Sequence, residues 1–126
     1  MNKIGHYSGF SEANGFGFTA GIIGSKSDGY VAHGMEAQVT TAIGNLKVIL
    51  ESRGLDLSSV IKTTVFITSN DDYLDMDESY KKSFEQYSPA RSTVIVKGLP
   101  QVKSDGPEPI LFEIEAVVAL LVDLKR

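Results

Sequence analysis

The chain has 126 residues, 42% of them hydrophobic and 22% charged, with a formal net charge of −4. Those figures exclude a disordered chain and predict one folded domain over residues 1–126, with a core that holds without staples. The one dense basic cluster, Lys81-Lys82, stands beside Glu78 and Glu85, so the concentrated positive charge that phosphate needs is missing and nucleic acid is not an expected partner.

The sequence has no cysteine, which removes disulfides and thiol nucleophiles and suits a reducing compartment. The opening MNKIGHYSGF holds no apolar run of the signal-peptide kind, and no stretch is apolar for the length of a membrane span. The expected location is the cytoplasm, with no membrane partner. His6 and His33 are far apart and lack ligand-spaced companions, so no metal site is expected.

In chain order, HYSGFSEANGFGFTAGIIG reads as two strands joined around Glu12–Gly15, because Asn14-Gly15 is a hairpin signal in which both residues tolerate positive φ. Gly15-Phe16-Gly17 invites a phosphate-loop reading. Nothing helical follows it and no Lys-Ser/Thr completes it, so a turn and a strand with a close approach is the better account. A turn at Ser25–Gly29 leads to a short strand near Tyr30-Val31-Ala32. MEAQVTTAIGNLKVILESRG follows as a helix with an apolar stripe of Val39, Ile43, Leu46 and Leu50, widened by Ala42 and Ile49 and stopped by Gly54. Gly44 inside it suggests close packing.

The β-branched run SSVIKTTVFITSN predicts a central strand over Val60–Thr68. Asn70 or Asp71 then caps a second helix, Tyr73 to Tyr87, whose inward stripe is Met76, Tyr80, Phe84 and Tyr87. Asp77–Lys81 and Glu78–Lys82 are spaced as ion pairs on its wet side. Pro89 ends this helix, PARSTVIVKGLP opens a strand, and a Pro- and Gly-rich loop, Gln101–Pro109, leads to a last strand, ILFEIEAVVALL. Helices set between roughly parallel strands predict an α+β fold, a mixed β-sheet with two helices on one face.

Alternation assigns the strand faces. Ser92, Val94 and Val96 share one side, and Arg91, Thr93 and Ile95 the other. Phe112, Ile114, Ala116 and Val118 lie opposite Glu113, Glu115, Val117 and Ala119. The purely apolar sets are expected under the helices. The mixed faces are then too apolar to stay in water and predict a symmetric homo-oligomer. Arg91 is left with two readings: an ion pair with Glu113 or Glu115 at an interface, or an open seat for the carboxylate of a ligand.

Several segments, in this order and over almost the whole chain, carry a resemblance: IGHYS at 4–8, TAGI at 19–22, EAQ at 36–38, NLK at 45–47, IKTTVFIT at 61–68, Tyr80, PARSTV at 89–94, GLP at 98–100 and EIEA at 113–116. Together they resemble the reactive-intermediate deaminase (Rid/YjgF) family, also labelled endoribonuclease L-PSP. The resemblance implies a chorismate-mutase-like (YjgF-like) fold and a homotrimer with a central β-barrel and sites in the clefts between subunits. It further implies hydrolysis of reactive enamine and imine intermediates, small carboxylate-bearing 2-imino acids, to 2-oxo acids and ammonia, without cofactor or metal.

Carried over residue by residue, the resemblance makes Arg91 the fork for the substrate carboxylate and Glu113 the group that orients the attacking water. Thr93 brings backbone groups beside the imine, while Tyr7 and Gly21 line the cleft. Glu115 is given a structural role. There are departures. Ala20-Gly21-Ile22 stands where deaminase members read SGQ, His6 replaces the usual proline, and Asp77 replaces an asparagine. The segment from Gln101 to Phe112 is longer than is typical and could cover the pocket. Two other functions are weighed beside the deaminase. One is a non-catalytic carboxylate-binding or chaperone-like trimer. The other is a ribonuclease, against which the acidic charge and the lack of a paired histidine site argue.

Overall fold

A computed structural model describes residues 5–120, and in it the local chemistry accounts for most element boundaries. Strands β1 (Phe10–Ala13) and β2 (Phe16–Thr19) form the expected hairpin. Its two-residue turn places both Asn14 (φ 54°) and Gly15 (φ 84°) in the left-handed region, the geometry that matches the twist of the flanking strands. Gly17 lies under the Phe10 ring and beside Val118, where an added Cβ would collide with both. Gly15-Phe16-Gly17 therefore belongs to a hairpin and its packing.

The third strand is not the one expected. It is β3 (Ile22–Ile23), paired with the last strand, whereas Tyr30–Ala32 contributes only an isolated bridge between Ser25 and Val31. The Val31 amide is committed elsewhere, to the carbonyl of Asp105 at 2.9 Å. That contact ties this turn to the long loop instead of to the sheet.

Helix α1 (Met35–Glu51) buries Val39, Ala42, Ile43, Leu46 and Leu50 completely, as its spacing requires. Gly44 gives no close packing, since an added Cβ meets nothing within 4 Å. Gly44→Ala is therefore expected to raise stability by about 1 kcal/mol, read as a higher denaturation midpoint with an unchanged m-value. A destabilised variant would mean that an unseen contact occupies that space.

Strand β4 (Val60–Ile67) carries a bulge between Val60 and Lys62 and turns Thr63, Val65 and Ile67 inward. Neither Asn70 nor Asp71 caps the second helix. Ser69 caps a 3₁₀ turn, Asn70–Asp72, its hydroxyl accepting from the Asp71 amide at 3.1 Å, and that turn runs into α2 (Tyr73–Phe84), whose N-cap residue, Asp72, makes no side-chain bond to the helix end. The helix stops before Tyr87 because Glu85 takes φ 62°, a left-handed exit that precedes Pro89. Met76, Tyr80 and Phe84 are buried as expected, and Tyr87 packs against the core from the turn beyond.

Strand β5 (Ala90–Ile95) runs parallel to β4, and β6 (Phe112–Ala119) runs antiparallel to it. The sheet order is β1-β2-β6-β4-β5, with β3 also on β6. Both helices cover one face, where Val65, Ile67, Phe112, Ile114, Ala116 and Val118 join the α1 and α2 stripes in one core. This is the α+β arrangement with a mixed sheet and two helices that the sequence predicts. Leu121 of the expected last strand and Ile4 of the first motif lie outside the described residues.

The long segment after Pro100 has a defined course. Gln38, fully buried on α1, donates to Ala32 O (3.0 Å) and Pro109 O (2.8 Å) and accepts from the Leu111 amide (2.8 Å). One side chain thus satisfies three backbone groups from two loops and staples the segment to α1. His33 Nδ1 and Glu108 Oε1 meet at 2.7 Å on the same side. Among the described residues no helix is long and apolar enough to cross a membrane.

Candidate functional site

Arg91 opens the edge strand, and its position follows from register. It pairs with Thr63 of β4, as Thr93 pairs with Val65 and Ile95 with Ile67. Paired residues share a face, and those β4 residues point at the helices. So Arg91, Thr93 and Ile95 face the helix layer, while Ser92 and Val94 face away, the reverse of the expected assignment. The physical reason is that β5 is the sheet edge, where helix cover gives out. Ile95 is 52% exposed although it is on the covered side, and Val94 is 40% exposed on the other.

Under that edge α2 builds a seat for the guanidinium. Arg91 Nη1 pairs with Asp77 Oδ1 at 2.9 Å and Nη2 donates to the Tyr73 hydroxyl at 2.7 Å. The guanidinium carbon stands 4.7 Å from the Tyr80 ring centroid and 5.7 Å from that of Tyr73, so cation–π attraction adds to the ion pair. Tyr80 in turn meets Thr63 Oγ1 at 2.8 Å, and burial raises its phenol pKa above the ordinary value. Tyr73, Asp77 and Tyr80 are spaced i, i+4, i+7, one line along the helix.

Within one chain the ion-pair partner of Arg91 is neither Glu113 nor Glu115 but Asp77, which the spacing had assigned to Lys81. That pair occupies one arm of the fork, and the Tyr73 hydroxyl takes a donor of the other. Tyr73 is missed by the sequence reading, which has Asp77 only as a departure from an asparagine and as a partner of Lys81, not of Arg91. Their signal was the i, i+4, i+7 line with Tyr80, and it was masked because Asp77 is also i,i+4 to a lysine.

Glu113 sits on the opposite side of the sheet. β6 pairs Glu113 with Phe66, and β4 pairs Phe66 with Val94, so Glu113 shares the helix-free face as expected. Its carboxylate lies directly on the backbone of Gly21, where an added Cβ would collide with Oε2. Only a residue without a side chain leaves room for that arrangement. Burial, and then the charge of Glu115, hold the Glu113 pKa above the ordinary carboxylate value. Glu115 faces the same side and lines a small cavity of about 90 Å³ with Phe18, Lys62 and Thr64.

Tyr7 belongs to this second group by chain path. The Ala20 amide donates to Gly9 O at 2.9 Å, which draws the Tyr7 segment alongside the residue before Gly21. The structure thus brings Gly21 and Glu113 together, keeps Arg91 and Thr93 together, and separates the two sets by the sheet. Two strand spacings across and three residues along put the Arg91 and Glu113 Cα atoms about 14 Å apart, on opposite faces. No small molecule on one chain could touch both.

The helix-free face also carries Phe16 (44% exposed) and Phe18 (45% exposed), with Phe66, Val94, Val117 and Ala119 nearby. An exposed apolar area of this kind marks an interaction surface.

Comparison with known proteins gives consistent findings. The profile of the Endoribonuclease L-PSP family matches residues 1–120. Reactive Intermediate Deaminase A, chloroplastic, of Arabidopsis thaliana is 36% identical over 77% of this chain, a stretch that spans 53% of the plant protein. The 2-iminobutanoate/2-iminopropanoate deaminase of Salmonella typhimurium is 34% identical over 71% of this chain and 66% of its own length. Among solved structures, Escherichia coli TdcF with bound serine superimposes with a TM-score of 0.82 at 30% identity, covering 93% of this chain and 90% of that one.

Proposed function

The chain belongs to the Endoribonuclease L-PSP family, and on that premise we propose that it is a hydrolytic deaminase of reactive 2-imino acids and their enamine tautomers, releasing 2-oxo acids and ammonia. The observation that carries the reading is the Glu113 carboxyl, half-buried against the Gly21 backbone with a raised pKa. A carboxyl poised nearer neutrality can take a proton and return it.

In this reading Glu113 takes a proton from water as the water oxygen adds to the carbon of the protonated imine, giving a neutral carbinolamine. The same carboxyl gives that proton to the carbinolamine nitrogen. As the C–N bond breaks, the Glu113 carboxylate takes the hydroxyl proton and passes it to the departing ammonia, leaving the 2-oxo acid. An iminium carbon is already electrophilic, so holding it beside water and one base supplies most of what is needed. Arg91 anchors the acid end and Thr93 offers backbone groups beside it, with Tyr7 and Gly21 forming the facing wall. A relative named for iminobutanoate and iminopropanoate deamination, and a neighbour with serine bound, both concern small amino-acid-like molecules.

The reading requires more than one copy, because Arg91 and Glu113 lie on opposite faces. A homotrimer whose helix-free faces close into a central barrel would bury Phe16, Phe18 and Val94. It would also set Arg91 and Thr93 of one copy against Tyr7, Gly21 and Glu113 of the next. The cytoplasm remains our proposal for its location on the cysteine-free composition, although the plant relative is named for the chloroplast. As for the ribonuclease name, a net charge of −4 offers an RNA backbone little attraction.

The test is ammonia release from imines generated in situ by an amino-acid oxidase. Arg91→Ala and Glu113→Gln are each expected to be inactive. The two, unfolded and refolded together, should regain roughly a quarter of the wild-type rate, because random assembly rebuilds that share of sites. A mixture as inactive as its components would remove the shared-site reading. Calorimetric binding of 2-oxobutanoate without turnover would instead favour the non-catalytic carboxylate binder.

A further inference from the structure

We infer that Asp77 sets the charge preference of this site: by holding Arg91 it lets uncharged substrate ends, carboxamides or esters, bind about as well as carboxylates. The inference rests on the reading of Arg91 as the substrate anchor and specifies what that anchor accepts.

The geometry points to Asp77 as a resident competitor. A guanidinium has five N–H donors, and here one goes to Asp77 at 2.9 Å and one to the Tyr73 hydroxyl at 2.7 Å. The remaining donors can still serve an acceptor, but the pair as a whole is neutral. An arriving carboxylate therefore meets no net positive charge and is repelled by the carboxylate already there. An amide or ester carbonyl can take a hydrogen bond from the same guanidinium without that repulsion. The fold has no evident need of this ion pair, because Asp77 is 47% exposed and water could solvate it. Arg91, at 16%, is the partner that depends on company, and Tyr73 and Tyr80 supply part of it.

The interaction acts through Arg91, so Asp77 is a positioning residue and its signature is selective for charge. The probes are 2-oxobutanoate and its neutral amide, 2-oxobutanamide, titrated calorimetrically into the intact oligomer. Wild type is expected to bind the two with similar affinity. Asp77→Asn and Asp77→Ala should each tighten the oxo acid by up to about fivefold and leave the amide unchanged. Two variants are used so that a folding defect in one, seen by circular dichroism, leaves the other to decide.

If wild type already prefers the oxo acid as strongly as both variants do, while Arg91→Ala loses it, Asp77 is not a competitor and the inference falls with the anchor intact. If Arg91→Ala binds 2-oxobutanoate as well as wild type, the anchor reading itself falls and takes the inference with it.

Discussion

Glu113→Gln is expected to slow ammonia release from in situ imines by about 10²–10⁴-fold, the usual worth of a positioned proton acceptor, and to leave 2-oxobutanoate binding intact. The substitution keeps the size of the side chain and its place on the Gly21 backbone, so what it removes is the ability to accept a proton. The wild-type rate should also fall on the acid side of its pH profile, with an apparent pKa above the ordinary carboxylate value of 4.5, because burial and Glu115 both favour the protonated form.

The same shift has a consequence for stability, opposite in sign to that for catalysis. A carboxyl whose folded pKa is raised contributes stability that is fully present below its unfolded pKa, and this is lost as pH rises through the folded value. At neutral pH wild type therefore bears the cost of an ionised, half-buried Glu113, and the glutamine variant does not. The variant should be at least as stable as wild type at pH 7, and that advantage should shrink as pH falls through the raised folded pKa of Glu113 and level off below its unfolded pKa. A variant that keeps the wild-type rate would show that Glu113 is not the base.

Arg91→Ala is expected to cost about 10²–10³ in rate for carboxylate-bearing imines, the scale of losing a preorganised charged donor in a partly dry site. Arg91→Lys should recover little of it, since a point charge cannot replace a planar fork. The proposed trimer should form in this variant as in wild type. The stability loss should be modest, on the order of 1–2 kcal/mol from the packing of the stem on Tyr80, because the Asp77 left behind is half in water. Wild-type rates for Arg91→Ala in a melting-competent oligomer would leave the guanidinium as a structural strut for α2. The strut reading has a real basis in the ion pair with Asp77. The ammonia assay and the melting curve separate the two, since a strut moves the second and spares the first.

What could be read from the chain alone is what local chemistry decides. Asn14-Gly15 specified its hairpin because few residues tolerate two successive positive φ values. The Val39, Ile43, Leu46, Leu50 stripe specified α1, and the strict alternation from Phe112 to Ala119 specified both faces of β6, including Glu113. Of the motifs that carried the family resemblance, EAQ and NLK lie in α1 and EIEA in β6. Alternation along β5 separated Arg91 from Val94 equally well, but it could not say which set was covered. That is decided by the register of Arg91 on Thr63, a pairing between segments 28 positions apart in the chain, at an edge where neither face is fully sheltered. The same holds for Asp77. Helical spacing offered it Lys81, and only the sheet brings Arg91 within 2.9 Å, where a partly buried guanidinium competes better than a lysine in water. Tertiary structure thus chose the partner, because a charge shielded from water gains more from an ion pair than an exposed one does.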